Sequence, residues 1–130
     1  MATYTGHCLC GGVKVTLNEQ PPRSLRCFCR NCGRTGGGSS INYVLDEADV
    51  KFLATSTLTD FEDSQTESGN TVLRQFCGRC GSAIASCSPQ FPGKILLKAS
   101  LFDAISQPDS EVFTSRRPSW ESPVESAQQK

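Results

Sequence analysis

The sequence predicts an all-β domain of short antiparallel strands stapled by zinc. Apolar and polar residues alternate over short runs such as Val13-Lys14-Val15-Thr16-Leu17, the period of a half-buried strand. Proline and glycine punctuate the chain so often that no stretch supports a long helix. Seven of the eight cysteines fall into three tight clusters at chelating intervals: Cys8-x-Cys10, Cys27-x-Cys29-x-x-Cys32 and Cys77-x-x-Cys80.

At the start, Tyr4-Thr5-Gly6-His7 leads into Cys8-Leu9-Cys10-Gly11-Gly12, where paired glycines can turn two sulfurs toward one ion. The strand over residues 13–17 ends at Pro21-Pro22, which cannot donate to a ladder. Ser24-Leu25-Arg26 feeds the middle knuckle as a short strand. Gly36-Gly37-Gly38-Ser39-Ser40 reads either as a flexible loop or as exposed backbone N–H groups that could cradle an anion. Residues 41–45 form a strand, 46–49 a turn, and 50–53 and 58–61 two further short strands. A polar stretch over 64–70 ends in Gly69-Asn70 and reads as a hairpin loop into the strand 71–76, which runs straight into Cys77; residues 82–85 lead away from that knuckle. Residues 94–101 are the most apolar strand, set off by Pro92-Gly93 before and Pro108 after. Glu111-Val112-Phe113 either pairs with that strand or lies in a loop. The domain covers residues 1–120, and the polar tail 121–130 is expected to fray.

Lysine plus arginine equals aspartate plus glutamate, 13 each. A general nucleic-acid or membrane-surface binder carries a basic excess, so neither partner is expected. The first residues lack the positive start and apolar run of an export signal, and no run is long enough to span a bilayer. That implies a cytoplasmic address, where thiols stay reduced and clustered cysteines bind metal rather than form disulfides. Nothing in the sequence sets an oligomeric state.

The thiols divide by counting. Cys8, Cys10, Cys77 and Cys80 close a tetrathiolate site that ties the two ends of the domain together, a structural role. Cys27, Cys29 and Cys32 supply three ligands, and a zinc with three protein ligands can take water or a substrate sulfur as its fourth. The division can also run with Cys87 or His7 completing the middle site and making it structural. Cys87, alone between two serines, otherwise reads as a small buried hydrophobe, and His7 as a surface or supporting residue. No acid–base residue stands out.

Gly6-His7-Cys8-Leu9-Cys10-Gly11-Gly12-Val13, the middle knuckle, and Phe76-Cys77-Gly78-Arg79-Cys80-Gly81-Ser82 together resemble the glutathione-dependent formaldehyde-activating enzyme family, whose domain also occurs in the centromere protein V group. The likeness runs over about residues 3–120. It implies an Mss4-like zinc fold with a structural zinc on Cys8, Cys10, Cys77 and Cys80 and a catalytic zinc on Cys27, Cys29 and Cys32. It implies a carbon–sulfur lyase acting on the glutathione adduct of a small molecule, or the reverse addition of a thiol to a carbonyl such as formaldehyde. Phe28 and Gly33 stand where the family's knuckle often has histidine and arginine, and Arg30 and Arg34 lie close enough to supply charge. Glutathione's carboxylates need positive partners, for which Arg26, Arg30, Arg34 and Arg74 are candidates; Arg34, Gly36 and Gly37 are the expected pocket wall. The rival reading is a non-catalytic, zinc-stapled binding module whose middle site has a fourth protein ligand.

Overall fold

Alternation in β2 (Val13–Leu17) buries Val13, Val15 and Leu17 and leaves Lys14 exposed. In the computed structural model, which describes residues 3–130, β2 pairs antiparallel with β1 (Tyr4–His7) and with β5 (Lys51–Thr55) in a three-stranded sheet. The other strands are β3 (Ser24–Cys27), β4 (Ser40–Asp46), β6 (Leu58–Asp63), β7 (Val72–Cys77), β8 (Ala83–Cys87), β9 (Lys94–Lys98), β10 (Pro108–Val112) and β11 (Gln128–Gln129). They form an eight-stranded sheet in the order β11-β10-β3-β4-β9-β8-β7-β6. The two sheets share one core, in which Val13, Val15 and Leu17 join Tyr43, Ile84, Leu97 and Phe102. The Tyr4 ring stacks on Phe102 at 4.0 Å, closing one side of it.

The all-β expectation is met, and the α-helix among the described residues is the short α1 (Arg30–Gly36), which packs on β4. Pairing is antiparallel through most of the large sheet, but at one end β10 runs parallel to both β3 and β11. The segment around Glu111 therefore pairs with β3 and not with β9. Both edges of β9 are already occupied, by β4 and β8. The tail expected to fray is instead tied down. Gln128 and Gln129 pair with β10, the Val124 N–H donates to Glu111 Oε1 at 2.8 Å, and the Lys130 N–H donates to the Glu111 carbonyl at 2.8 Å. Glu111 is wholly buried, and a buried carboxylate needs donors that the tail supplies.

Alternation also decides which side chains face away from the core. Tyr43 and Leu97, paired across β4 and β9, point inward. Their neighbours Asn42 and Lys98, the next pair along, turn to the opposite face of the sheet.

Candidate metal centres

Cys8 and Cys10 sit in the turn after β1, Cys77 ends β7, and Cys80 sits in the turn that follows it. Their sulfurs all lie within 4.8 Å of one another, with Cys8–Cys10 at 3.7 Å and Cys10–Cys77 at 3.6 Å. Zn–S bonds of about 2.3 Å in a tetrahedron place sulfurs about 3.8 Å apart, so this donor set fits zinc. Backbone N–H groups of Val13 and Cys80 donate to the Cys8 and Cys77 sulfurs at 3.3 and 3.4 Å. A Cβ at Gly12 would stand 2.4 Å from Thr57 Oγ1, so glycine there leaves room for Thr57 to reach within 3.1 Å of Cys77 Sγ. The Thr57 hydroxyl holds the Cys77 thiol below its ordinary range, and the Ser82 hydroxyl with its backbone N–H brings Cys80 down to about 5.

The second group is local. Cys27 ends β3; Cys29 is the N-cap of α1, its sulfur accepting the Cys32 N–H at 3.3 Å; and Cys32 lies in the first helical turn. A strand end followed by one helical turn is what the Cys-x-Cys-x-x-Cys spacing becomes. The three sulfurs lie within 4.8 Å of one another, and no other His, Cys, Asp or Glu donor among the described residues joins them. Hydrogen bonds from the Cys27 and Cys29 thiols hold Cys32 down to about 2, with help from the Lys98 charge, while bonding to Cys29 and Cys32 pushes Cys27 up. Three cysteine sulfurs within reach of one ion are a donor set that suits zinc. His7 and Cys87 belong to neither group. His7 Nδ1 lies 2.8 Å from the Cys8 carbonyl, and Cys87, half-buried opposite Leu73, has its sulfur 3.9 Å from Glu47 Oε1.

Phe28, inside the second knuckle, faces away from solvent at 1% exposure. The guanidiniums of Arg26 and Arg117 lie over its ring, 4.6 and 5.0 Å from the centroid. The position is thus a packing site for cations over an aromatic face. Phe28→His should melt below wild type, with the gap widening as pH falls through about 6.5, where an imidazole protonates. Two nearby cations would depress the folded imidazole's pKa, so its stability contribution is lost on the acid side. Melting curves at several pH values check this, and a gap independent of pH would count against it.

Of two nearby clefts, Cys8 lines the larger, and Cys27, Cys29 and Cys32 line neither. The larger, about 940 Å³, has Cys8 and Ser82 on one wall, Gly36, Gly37 and Gly38 on another, and the exposed side chains of Leu9 and Trp120 at its lip. The smaller, about 320 Å³, is lined by Arg34, Arg74, Phe61 and Lys98 among others. The two share Thr35, Gly81, Ala83 and Lys98. Gly37 at φ +77° and Gly38 at φ +129° stop α1, and both direct their N–H groups to the Gly33 carbonyl. The glycine run is therefore a helix stop that lines the cleft, with two of its N–H groups already committed. Arg26 is held in ion pairs by Glu111 at 3.5 Å and by Glu121, and Arg74 by Asp63 at 2.7 Å. Arg30 and Arg34 make no ion pair among the described residues.

Lys98 was not singled out by the sequence, where it reads as part of the apolar strand. Its only signal there is a charged residue inside the most apolar run of the chain. In the fold it is 5% exposed, with Nζ 2.6 Å from Asn42 Oδ1. Burial pushes its ammonium pKa down, and the charge of Cys32 opposes that shift.

A family model described as glutathione-dependent formaldehyde-activating enzyme matches residues 3–116. A protein of Halomonas elongata, provisionally named for that activity, is 31% identical over 122 residues, covering 88% of this chain and 77% of the relative. The fold is similar to the crystal structure of a Rhodobacter sphaeroides protein, with a TM-score of 0.62 and 20% identity over 78% of this chain and 90% of that one. No helix among the described residues is long and apolar enough to cross a membrane.

Proposed function

The chain belongs to the glutathione-dependent formaldehyde-activating enzyme family, and from that premise we propose that it is a carbon–sulfur lyase acting on glutathione adducts of a small carbonyl compound. The same site would run in reverse as thiol addition to a carbonyl such as formaldehyde. The observation that carries this reading is the three-sulfur cluster, which has no fourth His, Cys, Asp or Glu donor among the described residues, and whose neighbour Thr35, donating to the Cys32 carbonyl, lines both clefts. Cys27, Cys29 and Cys32 would hold the catalytic zinc, and Cys8, Cys10, Cys77 and Cys80 a structural one. Zinc bound at the three-sulfur site supplies Lewis acidity that favours a substrate sulfur in its thiolate form.

The chain's own residues divide the remaining work. Arg34, unpaired among the described residues, gives the smaller cleft a positive charge suited to a glutathione carboxylate, while Arg74 beside it is matched by Asp63. Leu9 and Trp120 give the larger cleft an apolar lip suited to the carbon half of the adduct. Gly36 and Gly37 keep their side of the larger cleft free of side chains. A reducing, cytoplasmic setting suits a protein whose eight cysteines are all unpaired.

Cobalt(II) in place of zinc reports thiolate number through its charge-transfer absorption. Glutathione should raise that absorption by one thiolate, and S-methylglutathione should change it less because a thioether donates poorly. The added signal should be absent from Cys29→Ser. A cobalt spectrum indifferent to glutathione would overturn the lyase reading in favour of a zinc-stapled module without chemistry.

A further inference from the structure

Lys98 lies at the join of the two clefts, and its surroundings do not account for its charge. Sheet alternation turns it away from the core, beside its cross-strand partner Asn42. The side chain is buried, yet it forms no ion pair among the described residues and its one hydrogen bond goes to the neutral Asn42 Oδ1 at 2.6 Å. Asn42 is itself fixed, because its Nδ2 donates to Ser40 Oγ at 3.0 Å and so presents Oδ1 to the lysine. An ammonium carries three donors, which leaves two without a partner. Burying a charge without compensation is costly. Ser40, the cross-strand partner of Cys27, places this lysine–asparagine pair next to the three-sulfur end of the sheet.

We propose that Lys98 is a substrate-binding residue whose spare donors hold the thiolate sulfur of the substrate beside the Cys27, Cys29 and Cys32 sulfurs. This rests on the thiol-adduct reading above and adds the group that fixes the reacting atom. Arg34, which makes no ion pair among the described residues, lines only the smaller cleft and remains for the carboxylates. Lys98 alone among the cations borders both clefts, so a thiol gripped there has its peptide part on one side and its carbon half on the other.

The test is calorimetry on zinc-loaded wild type, Lys98→Met and Lys98→Arg with three ligands: glutathione, S-methylglutathione and 2-mercaptoethanol. A lost charge-assisted hydrogen bond corresponds to about a tenfold to hundredfold loss of affinity. Lys98→Met should lose that much for glutathione and 2-mercaptoethanol, and less than about twofold for S-methylglutathione, which has the carboxylates but no thiol. Lys98→Arg should recover part of the loss. Equal losses for glutathione and S-methylglutathione would assign Lys98 to the carboxylates and overturn the proposal. Unchanged affinities would overturn it, as would a Lys98→Met protein that loses its zinc, since Lys98 would then only balance the cysteine sulfurs. If Lys98→Met does not fold, Lys98→Gln, which keeps a donor without the charge, is read by the same criteria. A wild type that binds 2-mercaptoethanol through Lys98 but not glutathione would sink the glutathione reading and leave this assignment standing. A wild type that binds neither thiol would sink both.

Discussion

Cys77→Ser is expected to leave the chain unfolded or aggregated, whereas Cys29→Ser should leave a folded domain without thiol chemistry. The difference follows from where each group sits. Cys8 and Cys77 are 1% and 0% exposed and belong to the main core shared by both sheets. With Cys10 and Cys80 they join two turns some 67 residues apart in the chain. A structural zinc in small peptides contributes on the order of 10 kcal/mol or more to folding. That equals or exceeds the net stability of about 5–15 kcal/mol typical of a whole domain. Cys27, Cys29 and Cys32 form a separate cluster packed by Leu25, Val112 and Phe113, so their loss loosens only the end of β3 and the start of α1. Circular dichroism and zinc content per chain on both variants decide it. Equal loss of fold in the two would sink the division into structural and catalytic sites.

Glu111→Ala should lower stability at neutral pH by about 3–5 kcal/mol, the cost of breaking a buried ion pair from one side. Its carboxylate is fully buried and takes Arg26 Nη1 at 3.5 Å, Arg117 Nη2 at 3.2 Å, the Val124 N–H at 2.8 Å and Gln129 Nε2 at 2.9 Å. Removing it leaves Arg117 without an ion pair, leaves Arg26 with Glu121 alone, and releases the tail in one step. It also loosens Arg117, one of the two cations that cover Phe28 between Cys27 and Cys29. Burial pushes the Glu111 carboxyl up, but the hydrogen bonds from Gln129 and Val124 and the charges of Arg117 and Arg26 outweigh it and hold the pKa below its usual range. A depressed folded pKa means this stabilisation is complete above the unfolded value of about 4.3 and drains away as pH falls through and below it. Urea unfolding at pH 7 should therefore separate wild type from Glu111→Gln, and the two should converge in acid. Equal midpoints at pH 7 would show that the network contributes nothing.

Much of this was legible because it is local. Strand alternation placed β2, since a residue's face depends only on its neighbours in the strand. The strand β9 was legible as the most apolar run, though the strand expected over 94–101 stops at Lys98 and turns into a 3-10 helix over Ala99–Leu101. Cys27, Cys29 and Cys32 could be grouped from spacing because a strand end and one helical turn bring them together within six residues. Residue chemistry carried the cysteine clusters as metal donors, and counting suggested that Cys8 and Cys10 belong with Cys77 and Cys80. The glycine run was ambiguous because a helix stop and an anion cradle use the same residue, and only the direction of the Gly37 and Gly38 N–H groups distinguishes them.

Tertiary structure alone decided the rest. Lysine and glutamate ordinarily read as surface residues, so the burial of Lys98 and Glu111 depends on what packs over them from elsewhere in the chain. The donors to Glu111 come from Arg26, 85 residues before it, and from Val124 and Gln129, 13 and 18 residues after it. The parallel place of β10 was set by which sheet edges remained open once β9 had filled both of its own. Local pattern specifies which face a side chain takes, but the partner it meets there is set by long-range pairing that no single stretch encodes.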